Sequence, residues 1–147
     1  MYNVAIITAS DKGYAGERED MSGQVIEDIA LAKGLQVAGK IILPDDRRIL
    51  ADEMITLCDQ EIDLILTTGG TGFSKRDVTP EATADVVERR ADNLTFAMIA
   101  NSLQYTPKAM LSRGIAGIRG NTLIVNLPGS PKAVRENLEY AIDAIIH

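Results

Sequence analysis

The stretch LILTTGGTGFSKRDVTPEAT, residues 64–83, decides how this chain is read. An apolar run stops at Thr68, three glycines follow within four positions, then Lys-Arg-Asp, then Thr-Pro-Glu. A short apolar run bounded by turn residues reads as a buried strand, here DLILTT (63–68). Thr79 is a candidate N-cap, with Pro80 at the first helical position and Glu81 in the first turn, so a helix is expected from Thr79 to about Glu88. Between them, Gly69, Gly70 and Gly72 are free to adopt positive φ and let backbone N–H groups approach a phosphate. A tight structural turn is the competing reading.

Working outward, YNVAIIT (2–8) is a β-branched apolar run suited to a strand covered on both faces, and QVAGKIIL (36–43) is another strand candidate. SGQVIEDIALAKG reads as a helix capped by Ser22 and ended by Gly34. Another helix starts at Asp45 or Asp46 and carries Leu50, Met54, Leu57 and Cys58 on one face. A further helix is expected over 93–104. IAGIRGNTLIVNL gives two strands joined at Gly120-Asn121. SPKAVRENLEYAIDAII closes the chain as a helix capped by Ser130, with Pro131 first and Val134, Leu138, Ala141, Ile142 and Ile145 on one face. Strands alternating with helices predict an α/β fold: a doubly wound, mostly parallel sheet with helices on both faces. No linker, repeat or low-complexity segment interrupts it, so residues 1–147 read as one domain.

Composition narrows the function. A net charge of −6 argues against general nucleic-acid binding, though an acidic protein can still hold phosphate with backbone amides and local basic groups. Cys58 is the only cysteine, so no internal disulfide or thiolate metal cluster is expected, and its helical stripe makes it a structural thiol. The N-terminus lacks the basic flank of a signal peptide, and no apolar run is long enough to span a bilayer. A cytoplasmic protein is the expectation.

In open α/β sheets, ligands bind beyond the carboxyl ends of the strands, where the strand order reverses. Three loops at such ends are polar and contain glycine: TASDKG, TTGGTGFSKRD and NLPGSPK. The middle one fits neither the Walker A spacing nor G-x-G-x-x-G. Asp45 in LPDD and Asp77 in KRDVTP are helix-capping or loop residues if apart; brought together, they suit a hard cation that also takes substrate phosphates. The only histidine is His147, which argues against a Ser-His-Asp triad. Phosphoryl or nucleotidyl transfer fits this inventory, because the protein need supply only positioning and charge stabilisation.

The glycine-loop block, with PKAMLSRGIAGIRGNTLIVNLPGSPKAV, TASDKG and DMSG, closely resembles the molybdopterin adenylyltransferase family over essentially the whole chain. The resemblance implies a molybdopterin-binding fold, usually a homotrimer, and transfer of AMP from ATP to the terminal phosphate of molybdopterin with Mg²⁺ and release of pyrophosphate. It further implies Asp45 and Asp77 as catalytic and metal-holding residues. Gly69, Gly70, Thr71, Gly72, Asn126, Pro128 and Gly129 would be nucleotide-binding, and Ser10, Asp11, Ser112, Arg113 and Ser130 substrate-binding. Read alone, Ser10 is a loop hydroxyl, Ser130 an N-cap, and Asn126 a group that satisfies buried backbone. Family members usually carry Pro-Gly where this chain has Asp92-Asn93. A molybdenum-insertion protein is a possible partner in this scheme. Two other readings stand beside it: a non-catalytic molybdopterin- or nucleotide-binding module, and an unrelated flavodoxin-like binder, which the 4% aromatic content and lack of Trp disfavour.

Overall fold

Period-two burial builds the sheet. In the computed structural model, which describes residues 1–147, Val4 and Ile6 of β1 (Asn3–Ala9) face one helical layer, and Ala5 and Ile7 face the other. In β3 (Leu64–Thr68), Leu64 and Leu66 share the first face and Ile65 the second. With β2 (Gln36–Leu43), β4 (Arg89–Arg90), β5 (Ala116–Arg119) and β6 (Thr122–Leu127), they form a six-stranded sheet in the order β2-β1-β3-β6-β5-β4. The β2, β1, β3 and β6 strands run parallel. The β5 strand pairs antiparallel with both β6 and β4, which ends the parallel region. The β5–β6 hairpin turns at Gly120, whose φ of +57° a glycine adopts without steric cost.

Two cores flank the sheet. On one face lie α2 (Met21–Ala32), α5 (Asp92–Ser102) and α6 (Pro131–Ile146), which contribute Ile26, Met98, Leu138 and Ile142. On the other lie α3 (Arg47–Asp59) and α4 (Thr79–Val86), with Leu50, Met54, Ala82 and Val86. Each fully buried Ile or Leu contributes about 1.5–3 kcal/mol relative to exposure. The expected stripe of α3 is present, with Leu50, Met54 and Leu57 buried and Cys58 half-buried. Burial pushes the Cys58 thiol up, away from the reactive thiolate form.

The helix starts separate local signals from tertiary ones. Asp46 caps α3 by accepting from the Ile49 N–H at 2.9 Å, and Ser130 caps α6 by accepting from the Ala133 N–H at 3.2 Å. The cap of α2 is Asp20 rather than the expected Ser22: its carboxylate accepts from the Gly23 N–H at 2.8 Å. Ser22 lies inside the helix and donates to the Gly129 carbonyl at 2.7 Å. Thr79 does not cap α4 either. Val78 occupies that position, and the Thr79 hydroxyl is buried without a partner. Because burying an unpaired hydroxyl is unfavourable, Thr79→Val is expected to leave the urea midpoint unchanged or raise it. A clear fall would show that the hydroxyl is bonded in solution.

The α4 helix stops at Val86, short of Glu88, because Val87 turns extended and the Glu88 N–H donates to the Ile118 carbonyl. Three short elements lack a clear sequence pattern: α1 (Asp11–Tyr14), β4, and a 3₁₀ turn at Pro107–Leu111. Asp92 and Asn93, in place of the expected Pro-Gly, begin α5. There Asp92 accepts from Arg90 Nε at 2.9 Å and sits favourably at the helix N-terminus.

Candidate active site

The glycine loop leaves β3 at the point where the winding order reverses beside β1. Gly69 and Gly70 have φ of +88° and +71°. A Cβ on Gly69 would lie 2.4 Å from the Ala9 carbonyl oxygen, and one on Gly70 2.3 Å from the Thr79 hydroxyl. Gly72 is different from the sequence expectation: it is not in the left-handed region, and a Cβ there would meet Asp77 Oδ2 at 2.8 Å. Its small size keeps room for a carboxylate.

Arg113 holds this loop in shape. Its backbone N–H donates to the Thr71 carbonyl at 2.8 Å, Nε to the Gly72 carbonyl at 2.8 Å, and Nη2 to the Asp77 carbonyl at 2.7 Å. Nη1 pairs with Glu81, whose carboxyl the guanidinium holds below the usual range. These bonds act on the loop. Arg113 lines neither of the two cavities at this loop. On the other side, the Thr68 hydroxyl donates to the Pro128 carbonyl at 2.6 Å and ties the β3 end to the NLPG segment.

The acidic groups come from three loops. The Asp45 N–H donates to Asp11 Oδ1 at 2.9 Å, and the Asp11 N–H donates to Asp45 Oδ2 at 3.0 Å. Arg76 reaches from the glycine loop to pair with Asp11 at 2.9 and 3.0 Å, which holds the Asp11 carboxyl low. Asp45 shifts the other way. Burial pushes its carboxyl up, and the charges of Asp11 and Asp77 add to that, against the lowering hydrogen bond from Asp11 and the charge of Arg76. Asp77 Oδ2 accepts from the Ser74 N–H at 3.0 Å.

Two cavities meet at this loop. Cavity A, about 460 Å³, takes in Thr71, Gly72, Ser112, Asn126 and Pro128. Cavity B, about 560 Å³, takes in Ser10, Asp45 and Gly69. Gly70, Asp77, Gly129 and Ser130 line both. The sequence-derived residues are therefore brought to one region, with Ser10 and Ser112 on opposite sides of the ridge. Asp11 and Arg113 stand behind it. Asn126 is structural in its side chain: Oδ1 accepts from the Ile115 N–H, and Nδ2 donates to the Thr67 and Thr83 hydroxyls, all within 3.1 Å. Ser10 caps α1 by accepting from the Gly13 N–H at 2.9 Å.

Sequence reasoning did not find Arg18 and Asp20 on cavity B, or Ser102, Lys108 and Glu136 on cavity A. Asp20 carried a signal in DMSG; the others look like ordinary surface positions.

A glycine loop at the switch point of an α/β sheet, between two cavities and beside Asp45 and Asp77, is the arrangement of the α/β class whose members hold phosphorylated small molecules at such loops. A sequence profile described as "Probable molybdopterin binding domain" matches residues 5–147. Molybdopterin adenylyltransferase of Helicobacter pylori strain J99 is 41% identical over 147 residues, covering 97% of this chain and 83% of that protein. Gephyrin of Dictyostelium discoideum is 42% identical over 98% of this chain, which spans only 21% of that longer protein. The crystal structure of the molybdopterin biosynthesis enzyme MoaB of Thermus thermophilus superposes with a TM-score of 0.92 at 44% identity, covering 98% of this chain and 91% of that one. The chain belongs to the molybdopterin adenylyltransferase family.

Proposed function

We propose that this protein binds ATP and molybdopterin and transfers the adenylyl group between them. The terminal phosphate of molybdopterin attacks the α-phosphate of ATP. As the new P–O bond forms, the bond to the bridging oxygen breaks, and pyrophosphate leaves with the electron pair. The observation that carries this reading is the ridge of Gly70, Asp77, Gly129 and Ser130 shared by two cavities. Two substrates seated on either side would meet there through their phosphates, so the reaction would become effectively unimolecular. The attacking phosphate is already anionic, so no histidine or other general base is required.

Asp45 and Asp77 would hold Mg²⁺. Two carboxylates plus substrate phosphates suit this ion, and no third ligating side chain joins them. The upward push on Asp45 is relieved by a cation at this place. Bound there, Mg²⁺ supplies positive charge to the reacting phosphates. The chain's own residues keep the loop open for it: Gly72 leaves space for Asp77, and Arg113 fixes the carbonyls of Thr71, Gly72 and Asp77.

Incubation with ATP, Mg²⁺ and molybdopterin, followed by mass spectrometry, is expected to yield adenylylated molybdopterin. Binding of both ligands with no such product would assign a non-catalytic binding module instead.

Three further assignments belong to the same reading: a cytoplasmic location, a molybdenum-insertion protein as partner, and a homotrimer. No helix is long and apolar enough to cross a membrane. For assembly, the support is an apolar face around α5 and the following turn. Phe96 is 74% exposed, Met110 64% and Tyr105 58%, while Met98 on the same helix is buried. The helix is thus not enclosed on all sides within one subunit. Light scattering at micromolar concentration is expected to give about three times the 15.9 kDa chain mass. A clean monomer would rule out the trimer.

A further inference from the structure

Cavity A contains two polar atoms for which the fold provides no partner. Ser102 Oγ, at the end of α5, and Glu136 Oε2, in the second turn of α6, are closed off from solvent and make no hydrogen bond. Ser102 is only 8% exposed, and both residues line the cavity. The third buried atom of this kind, the Thr79 hydroxyl, lies against the glycine loop and lines neither cavity. Orphaned buried groups are rare in native proteins, and a carboxylate oxygen is among the costliest to leave bare. Helix propensity does not require it, since α6 would form as readily with a leucine at 136.

The surroundings suggest what completes the pair. Met98, Ile99, Ala109 and Leu111 give the cavity apolar wall, and the two orphans add polar points to it. Apolar walls with a few placed polar groups are the usual make-up of a site for a small ring system. An ionised carboxylate only accepts hydrogen bonds, whereas a hydroxyl also donates.

We propose that Glu136 and Ser102 read the edge of a flat, amino-substituted heteroaromatic ring in cavity A. An N–H of the exocyclic amino group donates to Glu136 Oε2, and the neighbouring ring nitrogen accepts from the Ser102 hydroxyl. Selectivity follows from the acceptor: a ring without that N–H leaves Glu136 Oε2 unpaired, and sites of this kind reject such analogues strongly. Adenine carries such an edge at its 6-amino group and the pterin at its 2-amino group. The source of the ring therefore rests on the adenylyl-transfer reading; the ring chemistry does not.

The test is calorimetric titration with adenosine, with purine riboside (adenosine without its amino group) and with 6-hydroxymethylpterin. None of these probes carries a phosphate. Wild type is compared with Glu136→Gln, Glu136→Leu and Ser102→Ala. One amino-bearing ring is expected to bind wild type and to lose about 10- to 100-fold in affinity in Glu136→Leu, with a smaller loss in Glu136→Gln. Loss confined to adenosine, with purine riboside already weak on wild type, assigns the base; loss confined to the pterin assigns that ring. Thermal midpoints of ligand-free Glu136→Leu and Ser102→Ala are expected to stay level or rise, because an unpaired polar group has been removed. Ring affinities that do not respond, rings that do not bind wild type, or midpoints that clearly fall would each overturn the inference. Adenylyl transfer by wild type with unresponsive ring affinities would leave the proposed function standing. Responsive affinities without any transfer would do the reverse.

Discussion

Asp77→Asn is expected to lower turnover by about 100-fold or more while leaving the unfolding midpoint at the wild-type value. The substitution is nearly isosteric. The Asp77 carboxylate accepts one hydrogen bond within the loop, from the Ser74 N–H, and an asparagine carbonyl can accept it equally well. The loop carbonyls gripped by Arg113 are backbone groups and do not change. What disappears is one negative charge at the ridge between the cavities, beside a carboxyl already pushed up by burial and by its acidic neighbours. Removing Asp77's charge lowers the Asp45 carboxyl towards its ordinary value, so the variant is no less stable on that account. The loss should appear as a weakened response to Mg²⁺ as well as a lower maximal rate. Near wild-type activity at limiting Mg²⁺ would remove Asp77 from the metal site.

Gly69→Ala is expected to cost about 3 kcal/mol or more in stability and to abolish ligand binding on both sides of the loop. Its φ of +88° is unfavourable for any residue with a Cβ, and the added atom would lie 2.4 Å from the Ala9 carbonyl oxygen. The oxygen is backbone, and the Cβ position is fixed rigidly by the backbone of residue 69. Ala9 ends β1, which is paired on each side with β2 and β3, so neither segment can move aside without breaking the sheet. Gly16→Ala provides the control. Gly16 also has positive φ, +78°, but nothing lies within 4 Å of its added Cβ. That variant should lose only about 1 kcal/mol. Urea midpoints measured side by side separate strain from collision, and equal losses in the two variants would show that the close approach to Ala9 carries no weight.

Much of the fold was legible in the sequence because its causes are local. The span of β2 follows from QVAGKIIL, and the stripe of α3 from Leu50, Met54 and Leu57. Pro131 and Ser130 mark the start of α6 without reference to any other part of the chain. The glycine loop likewise announces a strand, a turn and a helix within twenty residues of sequence. Where two capping candidates stood close together, local reasoning chose wrongly: Asp20 caps α2, and Ser22 instead meets Gly129, 107 positions away. The family motif does not reveal that the Arg113 guanidinium bonds the loop carbonyls and Glu81, because that pairing joins segments more than 30 positions apart.

By itself, then, the sequence determined the alternation of strands and helices, the switch-point loop and the set of residues gathered around it. These depend on hydrophobic period and on backbone freedom, which a residue carries wherever the chain goes. Only the tertiary structure decided that the site is two cavities sharing a ridge, that Asp11 is held by Arg76 from 65 positions away, and that Ser102 and Glu136 line one cavity without hydrogen-bond partners. Those facts concern which polar groups find partners once distant segments pack together, and hydrophobic periodicity does not encode that pairing.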